Sequence, residues 1–133
     1  MQYTVALFGE AGKGEFRQAY LCRSLPQLFE AFGNPPSDSQ GLRCAIQALF
    51  YEREILFFRV KEEGFSLPDY LAGLHALENK KIFSSLTALC LPGVGDPEII
   101  QAAASICLLH KSLLVTTERD LYDYLTARSL AHC

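Results

Sequence analysis

The sequence has no cluster of lysines and arginines, no apolar run approaching the length of a membrane span, and no closely spaced pair of cysteines. The first absence argues against a nucleic-acid partner, because gripping a phosphate backbone takes clustered cations. With a formal net charge of -3, anionic membrane surfaces are disfavoured on the same ground. The second absence leaves nothing to cross a bilayer as a helix, which takes roughly 18 or more apolar residues. The opening Met1-Gln2-Tyr3-Thr4 lacks the basic-then-apolar layout of a secretory signal, so a soluble, cytoplasmic protein with no membrane partner is expected. The five cysteines, Cys22, Cys44, Cys90, Cys107 and Cys133, are scattered and odd in number, which fits no disulfide framework or zinc site. Four lie in apolar stretches and read as buried free thiols acting as small hydrophobes. Cys133 ends the chain and is expected to be exposed. There is no internal repeat and no low-complexity tract.

What is present suits a small globular domain. The chain has 133 residues, half of them apolar, enough for one domain over residues 1–133 with a real core. "YTVALFG" (Tyr3 to Gly9) reads as a strand, and "FRQAYLC" (Phe16 to Cys22) alternates as a half-buried strand does. The Gly-rich stretch between them predicts a hairpin. "SLPQLFEAFG" then has a Ser24 cap, proline in the first turn and a Gly33 stop, with Leu25, Leu28, Phe29 and Phe32 on one helical face. "NPPSDSQG" (Asn34 to Gly41) is the clearest loop. A helix over Leu42 to Glu52 would turn Leu42, Ile46, Leu49 and Phe50 inward.

From Glu54 onward, strands alternate with helices: "EILFFRV", "SLPDYLAGLHALEN", "LTALCLPG", "DPEIIQAAASICLLHK", "SLLVTT" and "ERDLYDYLTARSL". The three strands are nearly wholly apolar, as strands covered on both faces are. The expected fold class is therefore α/β: an N-terminal β-hairpin followed by βαβαβα units, a mostly parallel sheet with helices on both faces.

The stretch Gly9-Glu10-Ala11-Gly12-Lys13-Gly14 invites comparison with a phosphate loop. A P-loop needs glycine five residues before its Gly-Lys and a hydroxyl after the lysine. Here those positions hold Leu7 and Gly14. The dinucleotide GxGxxG spacing fails as well, so the stretch reads as a turn and no nucleotide cofactor is expected. The histidines, His75, His110 and His132, have no cysteine or carboxylate at zinc spacing. They read as solvated or helix-end residues, and no metal is expected. A Cys-His nucleophile pair is the weakest of the readings: such partners need not be close in sequence, but five cysteines and three histidines make chance pairings easy. Two strand ends are candidate ligand sites: "RVKEEG", with Glu62 and Glu63, and "LPGVGDPE", with Gly93 to Asp96. The plain alternative is that Gly93 and Gly95 make a turn and Asp96 caps a helix. Glu10 with Glu15, and Asp120 with Asp123, read as surface charge. No catalytic residue is assigned.

The ordered set "ALFGEAGKGEF", "SLPQLFEAFGNP", "ILFFRV", "DYLAGLHALE", "LTALCLPGVGDPEIIQAAASIC" and "SLLVTT" resembles the core of contractile tail sheath proteins, found in phages and related injection machines. The positions that carry the resemblance are Lys13-Gly14, Leu25 with Phe29 and Phe32-Gly33, Arg59-Val60, and Leu91-Pro92-Gly93. It implies a structural subunit, not an enzyme, with other protein subunits as partners, through self-assembly or through tail and tube components. Sheath proteins are much longer, so the resemblance implies a relative lacking the usual arms and C-terminal region. Glu15 stands where the family usually has proline, and Glu52-Arg53-Glu54 where it has a Gly-rich turn. The other reading of the residues is a small cytosolic α/β ligand-binding or regulatory domain.

Overall fold

The computed structural model describes residues 3–33, 39–79, 83 and 86–130. It is an α/β protein with one five-stranded, mostly parallel sheet. The strands are β1 (Thr4–Gly9), β2 (Ala19–Cys22), β3 (Glu54–Arg59), β4 (Leu86–Cys90) and β5 (Leu113–Val115), in the spatial order β2-β3-β1-β4-β5. The helices are α1 (Leu25–Phe32), α2 (Gln40–Phe50), α3 (Leu67–Ala76), α4 (Pro97–His110) and α5 (Glu118–Leu130).

The expected hairpin does not form. All six residues of β1 are buried, and a strand buried so completely needs neighbours on both edges and cover on both faces. β1 therefore takes the centre, parallel to β3 on one side and β4 on the other. β2, with two exposed residues and one half-buried, lies at the edge and pairs antiparallel with β3, Leu21 opposite Leu56. The Gly-rich stretch does reverse the chain, but it carries it across β3 rather than back onto β1. β2 is also shorter than the alternation predicts. Arg17 adopts φ 64°, a left-handed conformation that ends the extended run.

Alternation along the strands splits the core into two layers. Val5, Leu7, Ile55, Phe57, Ala88 and Cys90 face α1, α2 and α5. Ala6, Phe8, Leu56, Phe58, Leu89 and Leu91 face α3 and α4. On the second face Phe8 stacks between Phe58 and Tyr70, with ring centroids 4.6 and 5.4 Å apart.

Two of the three caps read from the sequence form, while Ser66, expected to cap α3, makes no side-chain cap bond because its hydroxyl is engaged with the Glu62 backbone. Ser24 accepts from the Gln27 amide and Asp96 from the Glu98 amide. α2 begins two residues earlier than expected, and its buried face is Gly41, Leu42, Cys44, Ala45 and Ala48. Small residues there let the helix axis approach the sheet closely. Phe50, expected inward, is 79% exposed, since it lies two residues, about 200°, round the helix from Ala48. Likewise β5 is not a fully buried strand: Leu113 is half exposed, because β5 ends the sheet and pairs only with β4.

Cys22, Cys44, Cys90 and Cys107 are buried and free. Burial pushes the Cys107 thiol up to about 11, which keeps it protonated and unreactive. The expectation for Cys133 lies outside the described residues.

Candidate functional site

In an open α/β sheet the natural ligand crevice lies beyond the carboxyl ends of the strands, where neighbouring connections leave towards opposite faces. Here that point is between β1 and β4. The chain leaves β1 towards the layer of α1 and α2, and leaves β4 towards α4. Beyond the end of β1 lie Glu10 and the N-terminus of α2, and the turn after β3 brings Glu63 to the same place.

The Glu63 carboxylate is seated on that helix end. Its Oε1 accepts from the Gly41 amide at 3.0 Å and the Glu10 amide at 3.1 Å, and its Oε2 accepts from the Gln40 amide at 2.8 Å. Ser39, the α2 N-cap, donates its hydroxyl to the Glu10 carbonyl at 2.7 Å and accepts from the Leu42 amide. The exchange is reciprocal, since the Glu63 amide donates to Glu10 Oε2 at 2.9 Å. An amide-lined helix N-terminus after the first strand is where such folds receive a phosphate. In this chain a carboxylate of its own already takes those donors.

Close backbone contact completes the arrangement. A methyl on Gly41 would stand 2.6 Å from Gly9 Cα and 2.8 Å from the Phe8 carbonyl. Glycine at this helical position lets α2 rest on the end of β1. Next to the clamp, the buried Tyr70 hydroxyl accepts from the Gly64 amide at 2.7 Å. Burial pushes that phenol well above its ordinary range, despite the Gly64 hydrogen bond, with Glu63 and Glu10 adding to the rise.

The predicted candidates fare differently. Glu63 is central, whereas Glu62 is exposed and only its backbone is engaged, with Ser66. Glu10 is not mere surface charge but half of the clamp, while Glu15, Asp120 and Asp123 are exposed. Gly93, at φ 79°, donates its amide to the Thr116 carbonyl, and Asp96 caps α4, so this segment is the strand-to-helix turn of the plainer reading. In the Gly-rich stretch, the Gly12 amide donates to the Phe32 carbonyl and the Gly14 carbonyl accepts from Arg59 Nη1 at 2.6 Å. The loop's polar groups thus serve the fold itself. His75 is exposed and paired with Glu78. His110 is the helix-end residue of the reading, closing α4, but buried and not solvated, with its Nε2–H donating to the Leu77 carbonyl at the end of α3. His132 lies outside the described residues, as do positions 34–38 of the predicted loop. Among the described residues no group of three or more His, Cys, Asp or Glu is placed to hold a metal, and no helix is long and apolar enough to cross a membrane.

Sequence reasoning missed the Glu10–Glu63 exchange. Its one local signal is Gly41, a glycine just inside a helix directly after a predicted loop.

A second carboxylate, Asp69, ties the start of α3 to the turn after β3 and to the Gly-rich stretch. It accepts from Arg17 Nε and from the Lys61 amide, both at 2.9 Å. Burial alone would raise its pKa, but the Arg17 and Lys61 hydrogen bonds and the Arg17 charge together hold it below the ordinary value. Its stabilising effect is thus present above the unfolded Asp pKa of about 3.9 and lost as pH falls through the lower folded value. Melting temperatures of wild type and Asp69→Asn should therefore differ at neutral pH and converge below about pH 4. A gap of constant size through that range would show that the carboxylate's charge is not what matters.

No family model, curated protein or solved structure matches this chain.

Proposed function

We propose that the chain is a non-enzymatic assembly domain that works by contact with other protein subunits, of the kind the tail-sheath resemblance implies. The observation that carries this reading is Glu63. The crevice where an α/β domain of this topology would take an anionic ligand has its amide donors engaged by the chain's own carboxylate. A small-ligand role at the ends of β1 and β3 would first have to displace it.

Two further features support the reading. Three of the resemblance segments, Lys13-Gly14, Phe32-Gly33 and Arg59, pack against one another. Gly14 lies against the Phe32 ring, Gly33 against the Lys13 stem, and Arg59 reaches from β3 to the Gly14 carbonyl while covering the Phe16 ring at 4.3 Å. Residue types that look like a motif are therefore accounted for as packing. The two ends of the sheet, in turn, present apolar side chains. Leu21 on β2 is 46% exposed and borders a groove of about 350 Å³ with Leu56, Phe83 and Leu86. At the other edge, Leu108 and Leu109 near the end of α4 and Leu113 on β5 are each exposed. Edge strands with apolar neighbours are templates for pairing with another chain.

Sedimentation velocity over a concentration series tests the proposal. The wild type should associate, and Leu108→Asp with Leu113→Asp should shift it towards monomer while leaving the melting temperature nearly unchanged, since both side chains are exposed. A wild type that stays monomeric at its solubility limit, and that binds neither tail tube nor sheath subunits, would defeat it.

A further inference from the structure

Where α2 ends beside α5, three aromatic rings stand together at the surface. Phe50, the last residue of α2, is 79% exposed, and Tyr122 on α5 is 48% exposed. Tyr51, which follows α2, is half-buried and touches both. Its ring centroid lies 5.7 Å from that of Phe50, with 74° between the planes, and 6.5 Å from that of Tyr122, with 78° between the planes. Single exposed apolar residues need no explanation, but aromatic rings grouped around a cavity point to a ligand.

The three residues line a pocket of about 500 Å³ between α2 and α5. Two rings at right angles that share one cation about 4.5 Å above each face have centroids about 6.4 Å apart, so the spacing found here suits a common cation. The same pocket is bordered by an ion pair, Arg43 Nε on Glu118 Oε1 at 3.1 Å. With Glu118 so engaged, an incoming cation meets ring faces and not a free carboxylate. Those faces attract positive charge through the ring quadrupole. They are poor acceptors for N–H donors, however, so a primary ammonium would lose hydrogen bonds to water on entering. A quaternary ammonium has no N–H to satisfy.

We infer that this pocket binds a small quaternary-ammonium solute of the choline type, its trimethylammonium head seated among Phe50, Tyr51 and Tyr122. The rings answer the methyl groups by apolar contact and the charge by their π-faces. Ile46, one turn before Phe50 on α2, adds apolar surface to the same pocket. The site lies at the carboxyl end of α2, whereas the Glu63 clamp holds the amino end, and it does not depend on the assembly role.

Titration of the intact protein with choline, with its neutral tert-butyl isostere dimethylbutanol and with ethanolamine, followed through the Tyr51 ring protons, tests the inference. Choline should shift those resonances saturably with a Kd on the order of 1 mM, the range open to a ligand of so few atoms. The uncharged isostere and the primary ammonium should each bind about fivefold or more weakly. Phe50→Leu and Tyr122→Leu keep apolar bulk at exposed positions and so should fold, but each removes a π-face and should weaken choline binding by about two- to fivefold. No saturable response to choline, an equal response to the isostere, or undiminished choline binding by either variant would overturn the assignment. So would a short trimethyllysine peptide that bound far more tightly than choline, because the head would then belong to a partner chain and not to a small solute.

Discussion

Replacing Glu63 with alanine should destabilise the protein by about 3 kcal/mol, because hydrogen bonds to a charged acceptor contribute about 1.5–3 kcal/mol each and more than one is lost together. The variant leaves the Glu10, Gln40 and Gly41 amides without their acceptor. It also removes negative charge from the positive end of α2, where a carboxylate is favourable. Water can reach the half-buried site, so the total falls short of the sum of single bonds. Urea denaturation would show the loss directly, and a thermal scan should show the midpoint fall by about 10 °C for a domain of this size. Glu63→Gln keeps the shape and one acceptor oxygen but turns donors towards donors, and should lie between the two. Glu62→Ala, whose side chain is exposed, should stay within about 0.5 kcal/mol of wild type. A Glu63→Ala protein as stable as Glu62→Ala would mean that the clamp is incidental. The functional proposal would then lose its main support.

Gly41→Ala should also destabilise, by about 2–3 kcal/mol, as over-packing against rigid neighbours does. The sign is the informative part. Inside an ordinary helix the same change gains about 1 kcal/mol, because alanine is the better helix former. Here the new methyl meets Gly9 Cα at 2.6 Å and the Phe8 carbonyl at 2.8 Å, backbone atoms of the central strand that cannot swing aside. Relief comes only by lifting α2 off β1, which also draws the Gly41 amide away from Glu63. Gly95→Ala is the uncrowded comparison, at a loop position with nothing within 4 Å of the added carbon. A stabilised Gly41→Ala protein in urea titration would show that α2 does not rest on β1 as described.

Much of this protein is determined by local chemistry and is legible in the sequence. The apolar runs at Thr4–Gly9, Glu54–Arg59 and Leu86–Cys90 had to be interior strands, since no exposed surface would suit them. Ser24 and Asp96 capped their helices, and Pro97 opened α4, because capping needs only residues within one turn. The alternation after Glu54 carried the parallel sheet with helices on both faces. What only the tertiary structure decided is which strands are neighbours and which polar groups meet. Adjacency made β1 a central strand and not half of a hairpin, and the approach of α2 to the sheet turned Phe50 outward. Glu63 found the end of α2, and Glu10 joined it from 53 residues away. Tyr122 came to stand beside Phe50 and Tyr51 from a distant part of the chain. Periodicity and caps report the first few neighbours of each residue. A contact closed across dozens of residues depends on how whole layers pack, and no local pattern encodes it.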